Sequence, residues 1–214
     1  MRRLTRLDHL VSLVDQGLRV SLGGAEAIDR SQRPTPARPT QAPLSAADTR
    51  QSARLMRVNH AGEVAAQALY FGQALVAKAP ATQAFLQAAA KEEGDHLYWC
   101  AKRLAELNAR PSLLTPVWFA GSAIIGIIAA SRSDAVSLGF IDETERQVEG
   151  HIDRHLARLP QADHPSRDIL LQMKLDEATH AKQARERGSQ PLPPVVQRLM
   201  TGVSKVMTLT ASRI

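Results

Sequence analysis

Apolar residues recur at helical spacing through most of the 214-residue chain, and no segment alternates as a strand does. Prolines and a glycine divide the pattern into separate helices, and Ser45 to Asp48 has the form of a helix-capping sequence. The sequence therefore predicts an all-α protein with four long helices, at 45–79, 80–108, 133–159 and 166–187.

The chain is predicted to have three regions. Residues 1–28 show helical periodicity up to Gly23 and Gly24, and charged residues interrupt it too often for a signal peptide. Residues 29–43 form a proline-rich linker, which we expect to be mobile or extended. Residues 44–214 form the principal domain.

The second predicted helix carries two adjacent acids and a histidine in an alanine-rich sequence, KEEGDHLYW. Glu93 and His96 are three residues apart and so lie on one side of the helix, whereas Glu92 lies on a more polar row. We expect Glu93 and His96 to face the core, where a metal ion or a hydrogen-bond network must compensate their burial. Their row is otherwise apolar: Leu86, Ala89, Cys100, Leu104.

The fourth predicted helix repeats this arrangement in LDEATHA. Glu177 and His180 lie in an apolar row, and Asp176 lies beside it. Two inward Glu-x-x-His pairs are much stronger evidence for a metal site than one, because single matches occur by chance in helices rich in glutamate.

Each pair follows a helix with an inward acid of its own. Glu63 is the single acid between Arg50 and Lys78, and Glu145 is the acid in the apolar row of the third helix. Glu143 and Glu149 are expected near the solvated flank. The chain thus consists of two similar helix pairs joined by a long crossover. Together these helices supply the ligand set of ferritin-like dimetal carboxylate bundles, suited to iron or manganese: Glu63, Glu93, His96, Glu145, Glu177, His180.

Composition narrows the choice of partners. The single cysteine, Cys100, excludes an intrachain disulfide. The net charge of +6 is spread along the chain and only 4% of residues are aromatic, so nucleic-acid binding is weakly indicated, and attraction to an anionic membrane explains the charge at least as well. The sequence contains no phosphate-binding loop and no dinucleotide fingerprint.

Two further apolar segments could contact a membrane. Residues 111–131 carry no charge, and their helical part, 117–130, would be about 21 Å long, shorter than the roughly 30 Å core of a bilayer. We expect a re-entrant or interfacial helix, with an ordinary core helix as the alternative. Residues 193–214 form a basic amphipathic helix that would lie either on a membrane surface or on the bundle.

Several motifs resemble those of the bacterial 3-demethoxyubiquinol 3-hydroxylases, the demethoxyubiquinone hydroxylase family: MRVNHAGEVAAQALYFGQA, EEGDHL, LGFIDETERQVEGHIDRHL, MKLDEATHA. The resemblance runs from about Leu44 to the C-terminus and leaves out the first 43 residues. It implies a ferritin-like four-helix bundle with extra membrane-interfacial helices and two Fe ions on the same six ligands. It also implies peripheral association with the cytoplasmic side of the cell membrane, and hydroxylation of the ring of demethoxyubiquinol, a polyprenyl quinol, with O2.

The sequence is compatible with more than one electron source and more than one function. The reducing electrons would come from the bound quinol, from NADH in an unrecognised site, or from a donor or ubiquinone-synthesis partner protein. The main alternative is a ferritin- or rubrerythrin-like protein that handles iron or peroxide; a hydroxylase of a soluble or tRNA substrate and a non-enzymatic membrane module are others.

His60 and His151 would either orient ligands or form ordinary helix hydrogen bonds, and Tyr70 would line a cavity or fill the core. Three histidines are expected in solvent: His9, His155, His164.

Overall fold

The computed structural model describes residues 6–22, 24–36, 38 and 43–214, and within these ranges it contains helices and no strand. The helices are α1 (Arg6–Leu22), a short 3₁₀ turn (Ala25–Ala27), α2 (Ala46–Val76), α3 (Pro80–Glu106), α4 (Thr115–Arg132), α5 (Asp134–Leu156), α6 (His164–Glu186) and α7 (Pro194–Ala211). The predicted all-α class is confirmed.

Helices α2, α3, α5 and α6 form the ferritin-like bundle, and the long crossover from α3 to α5 contains α4. Two apolar clusters fill the bundle. One is centred on Met56, Trp99 and Ile152, and the other on Leu86 and Ile141. The predicted metal ligands lie in sequence between the members of these clusters on each helix, so a polar layer is enclosed by apolar layers on both sides.

The helix ends lie close to the predicted positions. The side chains of Ser45 and Ser133 cap α2 and α5 by accepting hydrogen bonds from backbone amides. Helix α2 ends at Val76, three residues before the predicted end. The carboxylate of Asp134 accepts hydrogen bonds from the backbone amides of Lys78 and Ala79, which holds this connection in a non-helical path.

Helix α4 packs closely against α2. A Cβ added to Gly72 would overlap the carbonyl oxygen of Ala123, and one added to Gly126 would overlap that of Leu69. These two glycines therefore let the two backbones touch. Helix α4 has 18 residues, about 27 Å, which is longer than predicted, and within the described residues it is the one helix with the length and composition to cross a membrane.

The side of α4 away from α2 is apolar and exposed, as are parts of α1 and α7. Helix α4 is thus packed on one face and open on the other, and contact of its open face with a membrane stays a prediction. Helix α7 contacts α2 and α5, yet Ala211 is its one buried residue, and its contact with a membrane likewise stays a prediction. The exposed apolar side chains on the three helices include Val11, Val14, Leu18, Val117, Ile124, Ile128, Val195, Leu199, Val206 and Leu209.

Residues 24–36, which we call the strap, run from α1 across the bundle and form neither helix nor strand from Ile28 onward. Their backbone lies against α3 at Gly94, where a Cβ would overlap the carbonyl oxygen of Asp29. The start of the proline-rich linker is therefore packed against α3 at this point. Residues 37 and 39–42 of that linker, and the side chain of His9, lie outside the described residues.

Candidate metal centre

The structure brings all six predicted ligands into the interior of the bundle. Each has an exposure of at most 3%. They form two overlapping groups, and in each group one oxygen or nitrogen atom per residue lies within 4.8 Å of the others. Glu93 and Glu177 belong to both groups, so their carboxylates can bridge two ions. The first group adds Glu63 and His96, and the second adds Glu145 and His180.

Both imidazoles point Nδ1 into the centre. Nδ1 of His96 lies 3.5 Å from Glu63 Oε2, 3.3 Å from Glu93 Oε2 and 3.4 Å from Glu177 Oε1. Nδ1 of His180 lies 3.0 Å from Glu93 Oε1 and 3.6 Å from Glu177 Oε2. Each helix pair therefore supplies one nitrogen to a nest of carboxylate oxygens.

The other ring nitrogen of each histidine binds an acid from the opposite helix pair. Nε2 of His96 on α3 lies 2.9 Å from Asp176 Oδ2 on α6, and Nε2 of His180 on α6 lies 3.1 Å from Glu92 Oε2 on α3. Metal-binding histidines are commonly oriented by such a carboxylate. Helical periodicity placed Asp176 and Glu92 beside the ligand face of their helices. It could not show that each acid meets a histidine of the other helix pair, because that contact depends on tertiary packing.

Several polar atoms at the centre are buried without a hydrogen-bond partner among the described residues: Glu63 Oε2, Glu93 Oε1, Glu145 Oε2, Glu177 Oε2, His180 Nδ1. Although His180 Nδ1 and Glu93 Oε1 are 3.0 Å apart, their geometry is not that of a hydrogen bond. Orphaned buried oxygens are costly, and bound cations would satisfy them. Two divalent ions would also neutralise the four carboxylates. These residues therefore fit a pair of metal ions.

The four buried glutamates of the centre have pKa values that are shifted in opposite directions. Burial, reinforced by the neighbouring carboxylates, raises the pKa of Glu145, and burial likewise raises the pKa of Glu63. Burial opposes ionisation of Glu93 and Glu177 too, but attraction to the facing imidazoles outweighs it and lowers the pKa of both. In the metal-free protein, bound protons and imidazolium charges must balance the negative charge of the carboxylates. A bound metal cation would replace them.

Tyr70 makes a contact that its sequence position did not indicate. Its phenol donates a 2.6 Å hydrogen bond to Glu145 Oε1, and its side chain is fully buried. Of the two predicted alternatives, the structure supports the packed core position, with a polar link to the centre. Tyr70 thereby holds one oxygen of Glu145 and leaves the other facing the cluster.

Two predictions about solvation are wrong. Glu143 has an exposure of only 7%, because Arg146 and Gln147 on its own helix bind its carboxylate. His155 has an exposure of 4%, and its Nδ1 lies 3.1 Å from Asn59 Oδ1 on α2. In each case a polar partner makes burial acceptable, which the polarity of the residue alone could not reveal.

An apolar cavity of about 260 Å³ reaches the centre at Glu63 and Glu177. It lies between α2, α5 and α7, and Ile125 of α4 closes one side. Its few polar groups include Asn59, Thr144, Gln147 and His151. Its apolar wall includes Val58, Leu69, Phe140, Val148, Leu199, Val203 and Met207.

Comparisons with known proteins give a consistent result. The family model for Ubiquinone biosynthesis protein COQ7 matches residues 50–211. The chain is 51% identical over 205 residues to a 3-demethoxyubiquinol 3-hydroxylase of Burkholderia ambifaria, covering 96% of this chain and 98% of the relative. It is 51% identical over 212 residues to that of Bordetella pertussis (98% and 94%), and 52% identical over 208 residues to that of Burkholderia multivorans (96% and 98%).

These matches correct one expectation. Because they cover at least 96% of the chain, the similarity includes most of residues 1–43, which the sequence motifs had left outside the resemblance. The α1 helix and the strap are thus part of what the chain shares with its relatives. By the extent of both kinds of match, the chain belongs to the COQ7 family of ubiquinone biosynthesis proteins.

Proposed function

We propose that the chain is a 3-demethoxyubiquinol 3-hydroxylase, a di-iron monooxygenase that uses O2 to hydroxylate the quinone ring of demethoxyubiquinol. The observation that carries the proposal is an apolar cavity that opens at Glu63 and Glu177, two of the six buried carboxylate and imidazole residues that cluster in the bundle. The names of the relatives support the substrate and the reaction.

The ligand chemistry supports iron. One ion would be held by Glu63 and His96 and the other by Glu145 and His180, with Glu93 and Glu177 shared between them. Carboxylate and imidazole ligands suit iron, and this set matches dimetal helical bundles. When bound, a pair of ferrous ions supplies the capacity to bind and reduce O2, which the protein side chains lack.

The chain's own residues have three tasks in this proposal. The apolar walls of the cavity, among them Leu69 and Phe140, bind the ring and exclude water from it. Polar groups such as Gln147 and His151 orient its oxygen substituents by hydrogen bonds. The ring then lies on the side of the centre where Glu63 and Glu177 line the cavity, which fixes the side from which the reacting carbon approaches.

The surface of the protein supports peripheral membrane association. The substrate carries a polyprenyl tail, and helices α1, α4 and α7 expose apolar side chains next to the cavity-forming elements. We propose that these helices dock on the cytoplasmic side of the cell membrane. The tail would remain in the lipid while the ring enters between α2, α5 and α7.

The apolar cavity also weighs against the alternative of an iron-storage or peroxide-handling protein, whose small polar substrates need no such space. The deciding experiment is anaerobic purification with metal analysis, followed by addition of O2 with a short-tailed demethoxyquinol. We expect about two irons per chain and, in a single turnover with the two electrons drawn from the reduced iron pair and the second oxygen atom released as water, a quinol product heavier by one oxygen atom derived from ¹⁸O2. Iron oxidation with no change in the quinol would favour the storage function.

A further inference from the structure

Arg33 in the strap reaches the outer edge of the metal centre from a distant part of the sequence. Its Nε lies 3.2 Å from Asp95 Oδ2 on α3, and its Nη2 lies 2.8 Å from Asp176 Oδ2 on α6. Nη2 is also 3.2 Å from Nε2 of His96. One guanidinium group therefore connects α3 and α6 at the level of the predicted ligands.

The position of Arg33 is fixed by several contacts. Its backbone amide donates to Asp95 Oδ1 at 3.2 Å, and its carbonyl oxygen accepts from the Trp99 indole at 3.4 Å. Two residues before Arg33, the backbone amide of Ser31 donates a hydrogen bond to the carbonyl oxygen of Lys91. The side chain of Asp95 is completely buried, so its charge requires cationic partners, and the strap brings two: Arg33, and Arg30, whose Nη1 lies 3.5 Å from Asp95 Oδ1.

The oxygen that Arg33 binds on Asp176 is also the one that orients His96. Asp176 Oδ2 lies 2.8 Å from Arg33 Nη2 and 2.9 Å from His96 Nε2, while Gln172 donates to the other oxygen, Oδ1. Asp176 is 14% exposed, and loss of its cationic partner would let the carboxylate rotate toward water. The equivalent acid for His180, Glu92, is 41% exposed. The two histidines are therefore held in unequal environments.

We infer that Arg33 is a positioning residue of the metal centre: by holding Asp176 against Nε2 of His96, it fixes the imidazole whose Nδ1 faces Glu63 and Glu93. The inference rests on the dimetal centre of the proposed function. It makes the N-terminal strap a functional part of the centre, because the strap supplies the cation that the α3 and α6 sequences lack at this point.

The test measures metal binding rather than turnover. Metal-free wild-type chain, Arg33→Gln, Arg33→Lys and Asp176→Asn are titrated anaerobically with Co²⁺, whose visible absorption reports its coordination. Arg38→Gln is the matched control, since Arg38 forms an ion pair of 2.6 Å with Asp168 on the same helix, α6, but at an exposed site.

In wild type we expect two Co²⁺ ions per chain. Arg33→Gln should weaken one of them about 10- to 100-fold and change its absorption band, as loss of a ligand-orienting group typically does. Asp176→Asn should weaken the binding of the same ion. The double variant Arg33→Gln/Asp176→Asn should bind this ion little more weakly than either single variant does. Arg33→Lys should be intermediate, because an ammonium keeps the charge but not the two-sided geometry. Arg38→Gln should match wild type.

Two Co²⁺ ions bound by Arg33→Gln with wild-type affinity and spectrum would overturn the inference, even if its melting temperature fell, since that pattern describes a purely structural residue. Circular dichroism shows whether each variant folds. If Arg33→Gln does not fold, the inference is overturned instead when Arg33→Lys binds both Co²⁺ ions with the affinity and spectrum of wild type. Failure of the wild-type chain itself to bind Co²⁺ would overturn the proposed function together with it.

Discussion

The phenol of Tyr70 on α2 is joined to the carboxylate of Glu145 on α5 by a buried 2.6 Å hydrogen bond. Tyr70→Phe removes this donor and frees Glu145 to rotate within the centre. We expect metal affinity to fall about 10- to 100-fold while the helical content stays unchanged. Metal titration and circular dichroism measure the two effects. Tyr98→Phe is the control, because its phenol binds Glu26 near the surface, and an equal effect of both variants would contradict the role given to Tyr70.

Two buried glutamates on α5 test the ligand assignment. Glu145 belongs to the cluster of predicted metal ligands, whereas Glu143, two residues earlier, binds Arg146 and Gln147. Glu145→Gln should reduce bound iron from about two per chain to one or fewer, and Glu143→Gln should leave it unchanged. Iron analysis after anaerobic loading measures both effects. Iron loss from the Glu143 variant alone would mean that Glu143, and not Glu145, is the metal ligand of α5.

The cavity can be filled from α2 without disturbing the core. Gly62 lines the cavity, and a Cβ built there meets no atom within 4 Å. Gly62→Leu should therefore fold and bind iron, but its side chain would occupy the space proposed for the quinol ring. We expect at least a tenfold loss of kcat/KM with a short-tailed substrate.

Gly202 on α7 offers a matched control for this substitution, since it is exposed and also has open space around its Cβ. Gly202→Leu should keep wild-type activity in the same assay. Full activity of Gly62→Leu with normal iron content would mean that the ring binds elsewhere.

Membrane docking is tested on the open face of α4. Ile124 and Ile128 are one turn apart and are 57% and 63% exposed. Replacing both with Glu should reduce binding to anionic lipid vesicles by tenfold or more, because charges are costly in the apolar part of a bilayer, while iron content stays constant. Vesicle sedimentation measures this. The same changes at Leu171 and Leu175, an exposed pair on α6, should leave vesicle binding unchanged.

His155 gives the metal-free protein a pH-dependent stability. Burial, aided by the neighbouring His151, lowers the pKa of His155 from 6.5 to about 3. The folded state thus favours the neutral ring. The contribution of neutral His155 to the free energy of unfolding is therefore fully present above pH 6.5 and is lost as the pH falls toward 3. Between pH 7 and pH 5 the free energy of unfolding should decrease by about 2 kcal/mol on this account. His155→Gln should remove that part of the decrease in denaturant titrations; an unchanged pH slope would contradict the assignment.

The sequence was sufficient to find the six clustered residues, because an α-helix has a fixed period and an acid in an apolar row must face inward. Glu63 was the simplest case, as its helix offers no second acid between Arg50 and Lys78. The same period explains why Asp176 and Glu92 were correctly placed beside the ligand face. Periodicity describes one helix at a time, however, and cannot tell which neighbour an off-face side chain meets.

The missed features all depend on contacts between distant segments. Arg33 is 143 residues from Asp176, and nothing in the proline-rich sequence around it indicates a packed strap. His155 seemed a surface residue until Asn59 on another helix supplied its partner. The end of α2 was placed too late because Asp134, far along the chain, binds the amides that follow Val76.

The close contact of α2 and α4 through Gly72 and Gly126 has a mechanical consequence. With backbone touching backbone, no layer of side chains is left to deform between the two helices. If α4 rests on the lipid surface as proposed, its depth and tilt in the headgroup region would be passed directly to α2, which carries the predicted metal ligand Glu63. A thicker or more ordered bilayer would then change the orientation of the whole bundle on the membrane, and with it the proposed path of the quinol ring from the lipid to the metal centre.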